Sequence, residues 1–214
     1  MAVRIVLVKF GEQSNISKLR EEGLLYMNNL PYFWGTEDEE LRGDPNDGVE
    51  HIQRGVKGKA ITLDGEELEI TKWEMRVPPR EPEKINIFCA YAIRTAAGTF
   101  LVDERNYRFG SHALVLLDTG QFIHRIASSL DSQAIPYEMR LVRYLDDQYV
   151  GRLGPFKKLR RFAYQSEFRL VCYEGPGGPR EVRVGSIEDI SIMMPSEEVN
   201  RRIRIAAEGA IEAP

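Results

Sequence analysis

Polar side chains able to bind a sugar recur at alternate positions late in the chain: Gln165, Glu167 and Arg169. Their apolar neighbours predict a β-strand over 165–173, in which alternate residues project from the same face. A carboxylate on that face accepts a hydrogen bond from a ribose hydroxyl and stabilises positive charge that develops at an anomeric carbon. The simpler interpretation is an ion pair between Glu167 and Arg169 on a solvated sheet face. Glu167 is therefore the first candidate for a catalytic residue, with Gln165 beside it.

The start of the chain predicts a strand, a helix and a second strand, joined by short connections. The strands cover 3–10 and 24–29, and the helix covers 15–22. Gly23 follows the helix at the position where a left-handed residue often ends one. This compact unit is expected to form one wall of whatever site the chain builds.

Further turn and cap signals divide the remainder of the chain. Residues 30–58 are rich in Pro, Gly, Asp and Asn, which predicts a long loop. Asp64-Gly65 between alternating residues predicts an exposed hairpin. Asp118 is placed to cap a helix that ends near Leu130. Because strands dominate and helices are few and short, we predict the α+β class, with a mixed, mostly antiparallel sheet.

Composition is that of an ordinary globular protein. The chain has 214 residues, of which 43% are hydrophobic and 29% charged, enough for one core and one domain, residues 1–214. Cys89 and Cys172 lie in strand-like runs rather than at metal or disulfide spacings, which predicts reduced core residues. No apolar stretch approaches the ~18 residues that span a bilayer. We therefore expect a cytoplasmic protein without a membrane contact.

A basic block lies just before the Glu167 strand, although the formal net charge is −4. Such a block contacts a phosphate backbone, which predicts a nucleic-acid partner, or it forms a solvated helical turn. Its residues are Lys157, Lys158, Arg160 and Arg161.

An acidic group in the long loop permits one functional hypothesis, a divalent-metal nuclease, apart from the two given below. Its spacing matches no calcium or zinc motif, so a solvated acidic loop is the simpler interpretation, and we predict no metal site. The residues concerned are Asp38, Glu39, Asp44, Asp47 and His51.

Several segments occur in a familiar order: Lys9-Phe10 ending an apolar strand, a short helix, Tyr107 to Ser111 before a middle strand, and Gln165-Ser166-Glu167 in a late strand. This layout resembles the ADP-ribosyltransferase fold. The chain also resembles uncharacterised bacterial and phage-defence proteins in which Asp-Pro-Asn-Asp-Gly-like loops and Gln-x-Glu-x-Arg strands recur.

The resemblance implies that NAD is a substrate, bound in a cleft between two halves of the sheet. Glu167 would then bond the nicotinamide-ribose hydroxyl, and Gln165 would orient the acceptor. Lys9 would meet the other ribose or a phosphate, Tyr107 would stack on nicotinamide, and Arg42 would pair with the pyrophosphate. The implied NAD-binding residues are Lys9, Phe10, Arg42, Tyr107 and Ser111.

Two functional hypotheses follow from these residues. The first is an NAD-dependent ADP-ribosyltransferase, a toxin or phage-defence enzyme that modifies a nucleic acid or protein and is paired with an antitoxin or other partner protein. The second is a non-catalytic module that binds nucleic acid or protein on the same scaffold. The first requires Glu167 to line a cleft together with Lys9 and Tyr107.

Overall fold

The computed structural model describes residues 5–35, 44–94, 101–205 and 211–212. Arg42, Asp38 and Glu39 lie outside these residues. In chain order the strands are β1 (Ile5–Gly11), β2 (Leu24–Asn29), β3 (His51–Gly55), β4 (Gly58–Ile61), β5 (Glu67–Ile70), β6 (Trp73–Val77), β7 (Asn86–Arg94), β8 (His112–Leu116), β9 (Tyr137–Leu141), β10 (Arg143–Leu145), β11 (Gly151–Arg152), β12 (Lys157–Leu159), β13 (Glu167–Cys172), β14 (Arg180–Arg183), β15 (Ser191–Pro195), β16 (Arg204–Ile205) and β17 (Ile211–Glu212).

Helices are short and few in the described part of the chain. The α-helices are α1 (Gln13–Glu22), α2 (Leu30–Trp34), α3 (Thr119–Ser132) and α4 (Val199–Arg202). The 3₁₀ helices are Pro82–Lys84, Glu104–Phe109, Arg160–Gln165, Glu188–Ile190 and Ser196–Glu198.

Local sequence signals explain where α1 and α3 begin or end. Gly23 ends α1 in a left-handed conformation, with φ of 63°, as predicted. Asp118 caps α3 as predicted, because its Oδ1 accepts a hydrogen bond from the backbone N–H of Gln121 at 2.8 Å. By contrast, α1 begins at Gln13 without a side-chain cap, two residues before the predicted start.

Among the described residues, eight strands form the main sheet, in the order β14-β2-β7-β1-β8-β15, with β13 on the other edge of β7 and β9 beyond it. All pairings within this sheet are antiparallel, so the predicted α+β class is confirmed. Apolar side chains of α1 and α3 cover one face, and a second apolar cluster lies on the other. β7 contributes side chains to both clusters, and β13 contributes to the first.

The sheet is split beside β7. Along one edge, β7 pairs with β1 at residues 91–94 and with β2 at residues 86–87. Residues 88–90 therefore have no strand partner on that edge in the described structure. Since β1 and β2 diverge here, a gap opens through the sheet between them.

Two peripheral features differ in how well the sequence predicts them. The Asp64-Gly65 hairpin is confirmed, because β4 and β5 pair and Gly65 has φ of 88°. The predicted loop over 30–58 is partly wrong, because it contains α2, β3 and the start of β4. None of the described helices combines the length and apolar character that would let it cross a membrane.

Candidate functional site

Glu167 begins β13 and is buried, with 6% of its surface exposed. Its Oε2 accepts a hydrogen bond from Nε of Arg169 at 2.7 Å, and its Oε1 accepts one from Nζ of Lys158 at 2.7 Å. The interpretation of Glu167 and Arg169 as an ion pair on a solvated face is therefore wrong. The pair exists, but it lies inside the protein, where charge-assisted hydrogen bonds are strong.

Asp47 completes this arrangement from the loop before β3. Its carboxylate accepts hydrogen bonds from Nη1 and Nη2 of Arg169 at 2.6 and 2.8 Å. The Nζ atom of Lys158 lies 3.3 Å from its Oδ2. We call Asp47, Lys158, Glu167 and Arg169 the charge cluster. It contains two carboxylates and two cations, so its formal charges cancel.

The charge cluster controls the ionisation of its members. Burial alone would raise the pKa of Glu167, but Arg169 and Lys158 hold it well below the usual range. Burial would also raise the pKa of Asp47, and the same two cations lower it. Glu167 therefore stays ionised at neutral pH. It can accept hydrogen bonds, but it is poorly suited to act as a general base, whose pKa should lie near the operating pH.

Backbone geometry, rather than strand alternation, brings Gln165 beside Glu167. Gln165 ends a 3₁₀ helix, and Ser166 turns the chain through a left-handed conformation, with φ of 39°. The predicted strand over 165–173 is therefore wrong in its first two residues and its last one, because β13 covers Glu167–Cys172. Gln165 nevertheless meets the charge cluster, because its Oε1 accepts a hydrogen bond from Nζ of Lys158 at 2.7 Å.

A cleft of about 400 Å³ occupies the gap in the sheet, within the size range of small-molecule sites. Gln165 and Glu167 line it from the face that carries the charge cluster. Lys9 reaches the cleft from the face of the sheet that α1 covers, because Lys9 and Leu7 project from the same face of β1. Glu167 projects from the opposite face of the sheet, where it is in register with Tyr91. Residues that line the cleft include Lys9, Phe10, Glu12, Asn28, Tyr32, Phe33, Asp47, Cys89, Tyr91, Asn106, Phe109, Lys158, Gln165, Glu167 and Arg169.

Lys9 is held at the gap by the unpaired edge of β7. Its Nζ donates a hydrogen bond to the carbonyl oxygen of Cys89 at 2.7 Å and lies 4.5 Å from the centre of the Phe88 ring. The ammonium group thereby satisfies a carbonyl that would otherwise pair with a strand. Lys9 and Phe10 do meet Gln165 and Glu167 at one cleft.

Tyr107 and Ser111 do not line this cleft. Tyr107 packs against Phe10 with ring centres 6.0 Å apart, at the edge of an apolar cluster. Ser111 is exposed, and its hydroxyl donates a hydrogen bond to Glu12 at 3.2 Å. Tyr107 is therefore not placed to stack on a ligand in this cleft, and the nearby residues that do reach it are Asn106 and Phe109.

The basic block is divided by the fold. Lys157 and Lys158 lie in β12, and Arg160 and Arg161 begin a 3₁₀ helix. The prediction of a solvated helical turn is therefore wrong for the two lysines. Lys158 is buried, with 6% of its surface exposed, and cannot contact a nucleic acid as predicted, because its ammonium group points into the charge cluster. Lys157 is half-buried, and Arg160 and Arg161 are exposed.

The acidic group of the loop is also different from the prediction. Asp44 and Asp47 are buried rather than solvated, because they fold inward onto the charge cluster. Across residues 5–35, 44–94, 101–205 and 211–212, no three His, Cys, Asp or Glu side chains are placed to hold a metal ion.

The site as a whole offers an ionised hydrogen-bond acceptor, an amide and aromatic walls on two sides of a split sheet. Such a site suits a ligand that has hydroxyl groups beside a flat ring. No protein-family model, curated protein sequence or solved structure matches the chain.

Proposed function

We propose that the chain is an NAD-dependent ADP-ribosyltransferase that acts on a macromolecular acceptor. The observation that carries the proposal is the convergence of Lys9, Phe10, Gln165 and Glu167 on one cleft in a split sheet. Of the three residues that this hypothesis requires at one cleft, Lys9 and Glu167 line it and Tyr107 does not, so the proposal rests on the first two together with Phe10 and Gln165.

In this proposal Glu167 acts as an electrostatic group. A carboxylate offers about four acceptor positions, and Arg169 and Lys158 use two of them, which leaves room for a ribose hydroxyl. The bond between nicotinamide nitrogen and ribose C1′ breaks with its electron pair leaving on nicotinamide. Glu167 stabilises the positive charge on the ribose, and a lone pair of the acceptor forms the new bond while its proton passes to water.

The acceptor in this proposal is a nucleic acid. Lys157, Arg160 and Arg161 lie on the segment that leads to Gln165 and Glu167, where they would attract phosphates towards the cleft. The resemblance to phage-defence proteins extends the proposal to a toxin, held in check by an antitoxin or other partner protein.

The proposal predicts that the purified protein releases nicotinamide from NAD, measured by chromatography. Glu167→Gln keeps the shape of the side chain and removes its charge, so we expect a rate at least about 100-fold lower. Glu181→Gln changes an exposed glutamate on β14 and should leave the rate unchanged. Thermal unfolding checks that both variants fold. Failure of the wild-type protein to bind NAD in calorimetry would rule the proposal out.

One observation favours the second candidate, a binding module without catalysis. Arg169 and Lys158 neutralise Glu167, which weakens its field on a developing positive charge. NAD binding without nicotinamide release, under conditions where an oligonucleotide also binds, would support that module over the enzyme.

A further inference from the structure

The pairing of two short strands determines the direction in which the Lys158 side chain projects. Strand β12 pairs in parallel with β10, and the register places Lys158 opposite Tyr144. Both side chains contact Glu167, because the Tyr144 hydroxyl accepts a hydrogen bond from the backbone N–H of Glu167 at 2.9 Å and Lys158 donates to its carboxylate at 2.7 Å. The neighbouring pair, Arg143 and Lys157, is more exposed to solvent.

The ammonium group of Lys158 has three acceptors: Gln165 Oε1 at 2.7 Å, Glu167 Oε1 at 2.7 Å and Asp47 Oδ2 at 3.3 Å. An ammonium group has three hydrogens and accepts nothing. The Gln165 atom that faces Lys158 must therefore be the carbonyl oxygen, which settles the orientation of that amide. The amide nitrogen of Gln165 is on the other side, 3.4 Å from the Tyr164 hydroxyl.

We infer that Lys158 is a positioning residue that determines the specificity of the cleft, by making Gln165 a hydrogen-bond donor and Glu167 an acceptor. A matching ligand presents a hydroxyl donor to Glu167 and an oxygen acceptor to Gln165, as a ribose with its neighbouring hydroxyl and ring oxygens does. This inference rests on the proposed function and adds the hydrogen-bond polarity that the ligand must have.

The first variant that tests this inference is Gln165→Glu. It keeps an acceptor for Lys158 but replaces the amide donor with an oxygen, and it adds one negative charge beside the charge cluster. We expect the affinity for NAD, measured by calorimetry, to fall about tenfold or more in protein that thermal unfolding shows to be folded at the temperature of the measurement. Wild-type affinity in this variant would overturn the inference.

The second test compares Lys158→Met with Lys72→Met, which changes an exposed lysine between β5 and β6, outside both the charge cluster and the basic block. Lys158→Met should lower nicotinamide release about tenfold or more and shift the acid limb of its pH profile upward. Lys72→Met should change neither. A folded Lys158→Met protein with the wild-type rate and pH profile would contradict the inference.

Failure of the inference and failure of the proposed function can be separated by an NMR titration of the Glu167 side-chain carboxyl, which needs no NAD. The charged or titratable groups that face Glu167 come from five segments, and only Lys158 is changed. They are Asp47, Cys89, Tyr144, Lys158 and Arg169.

Lys158→Met should raise the titration midpoint of Glu167 by about one pH unit or more, and Lys72→Met should leave it in place. A raised midpoint in a protein that does not bind NAD would support the role of Lys158 while the proposed function fails. An unmoved midpoint would overturn the role of Lys158 whatever NAD does. If Lys158→Met does not fold, the NAD affinity of Gln165→Glu tests the inference, provided that the wild-type protein binds NAD.

Discussion

Two buried carboxyl groups in one short loop differ in the charges that they face. Asp47 is bound by both nitrogens of the Arg169 fork, whereas Asp44 accepts one hydrogen bond, from the backbone N–H of Asn46 at 2.9 Å. The second oxygen of Asp44 has no hydrogen-bond partner among the described residues. Burial and the nearby charge of Asp47 raise the pKa of Asp44 to about 6, despite opposing effects of Lys158 and Arg161. Partnering, rather than burial, therefore decides which aspartate stays charged.

This difference predicts that Asp44→Asn stabilises the protein at neutral pH. The native pKa of Asp44 exceeds its unfolded value of 3.8, so its contribution to stability is complete below about pH 4 and is lost as the pH rises through about 6. Asparagine keeps the neutral form at every pH. We expect a gain of up to about 3 kcal/mol in unfolding free energy at pH 7.5 and none at pH 3.5, measured with urea.

Asp47→Asn is the matched comparison, because its native pKa is lowered by Arg169 and Lys158. It should lose stability at pH 7.5, since it leaves those buried cations undercompensated. If Asp44→Asn were also destabilising at pH 7.5, the high pKa of Asp44 would be wrong.

At the scale of elements, the connection between α1 and β2 joins two elements that line the cleft, through Leu19 and Leu24. Gly23 has φ of 63°, and a Cβ atom built there would lie 1.9 Å from the carbonyl oxygen of Gly185. Gly65 has φ of 88° but no atom within 4 Å of such a Cβ. The two glycines share backbone strain and differ in close packing.

Gly23→Ala should therefore destabilise the protein more than Gly65→Ala. Alanine at either position costs about 1 kcal/mol of backbone strain, and the contact with Gly185 adds about 1–3 kcal/mol. Thermal unfolding of the two variants measures the difference directly. Equal losses of stability in the two variants would contradict this prediction, because the close contact between residue 23 and Gly185 would then add no free-energy cost.

Elements with local signals were predictable from the sequence, and long-range pairs were not. The left-handed Gly23, the Asp118 cap and the Asp64-Gly65 hairpin each depend on a few neighbouring residues. The bond between Asp47 and Arg169 joins residues 122 positions apart, and a loop rich in acidic residues gave no sign of facing inward. The only local hint was the turn-forming run Asp44-Pro45-Asn46-Asp47-Gly48, which brings the carboxylates together.

Fold topology explains why the candidate site was only partly predictable. Lys9, Phe10, Gln165 and Glu167 meet because β1 and β13 both flank β7, and no sequence signal predicted that strand order. Lys158 appeared to be one of several surface cations, because its sequence neighbours are also basic. Only the pairing of β12 with β10 turns it inward, and a sequence pattern of three residues cannot show which way so short a strand faces.

At the scale of the whole molecule, a net charge of −4 makes any attraction of nucleic acid a local effect. In the described structure, Arg143 and Lys157 are neighbours across two strands, and Arg160 follows on the same surface segment. Like charges at such close range destabilise a strand pair unless an anion lies between them. A phosphate backbone bound there would relieve this repulsion.

The double variant Lys157→Glu/Arg160→Glu should therefore weaken binding of a labelled single-stranded oligonucleotide about tenfold or more, measured by fluorescence anisotropy. The slope of log affinity against log salt should also fall by about one unit, because fewer counterions are released. Lys57→Glu/Lys72→Glu makes the same change in net charge at exposed lysines beside the β4–β5 hairpin and should have little effect. Equal weakening by both double variants would mean that net charge, and not this surface, governs binding.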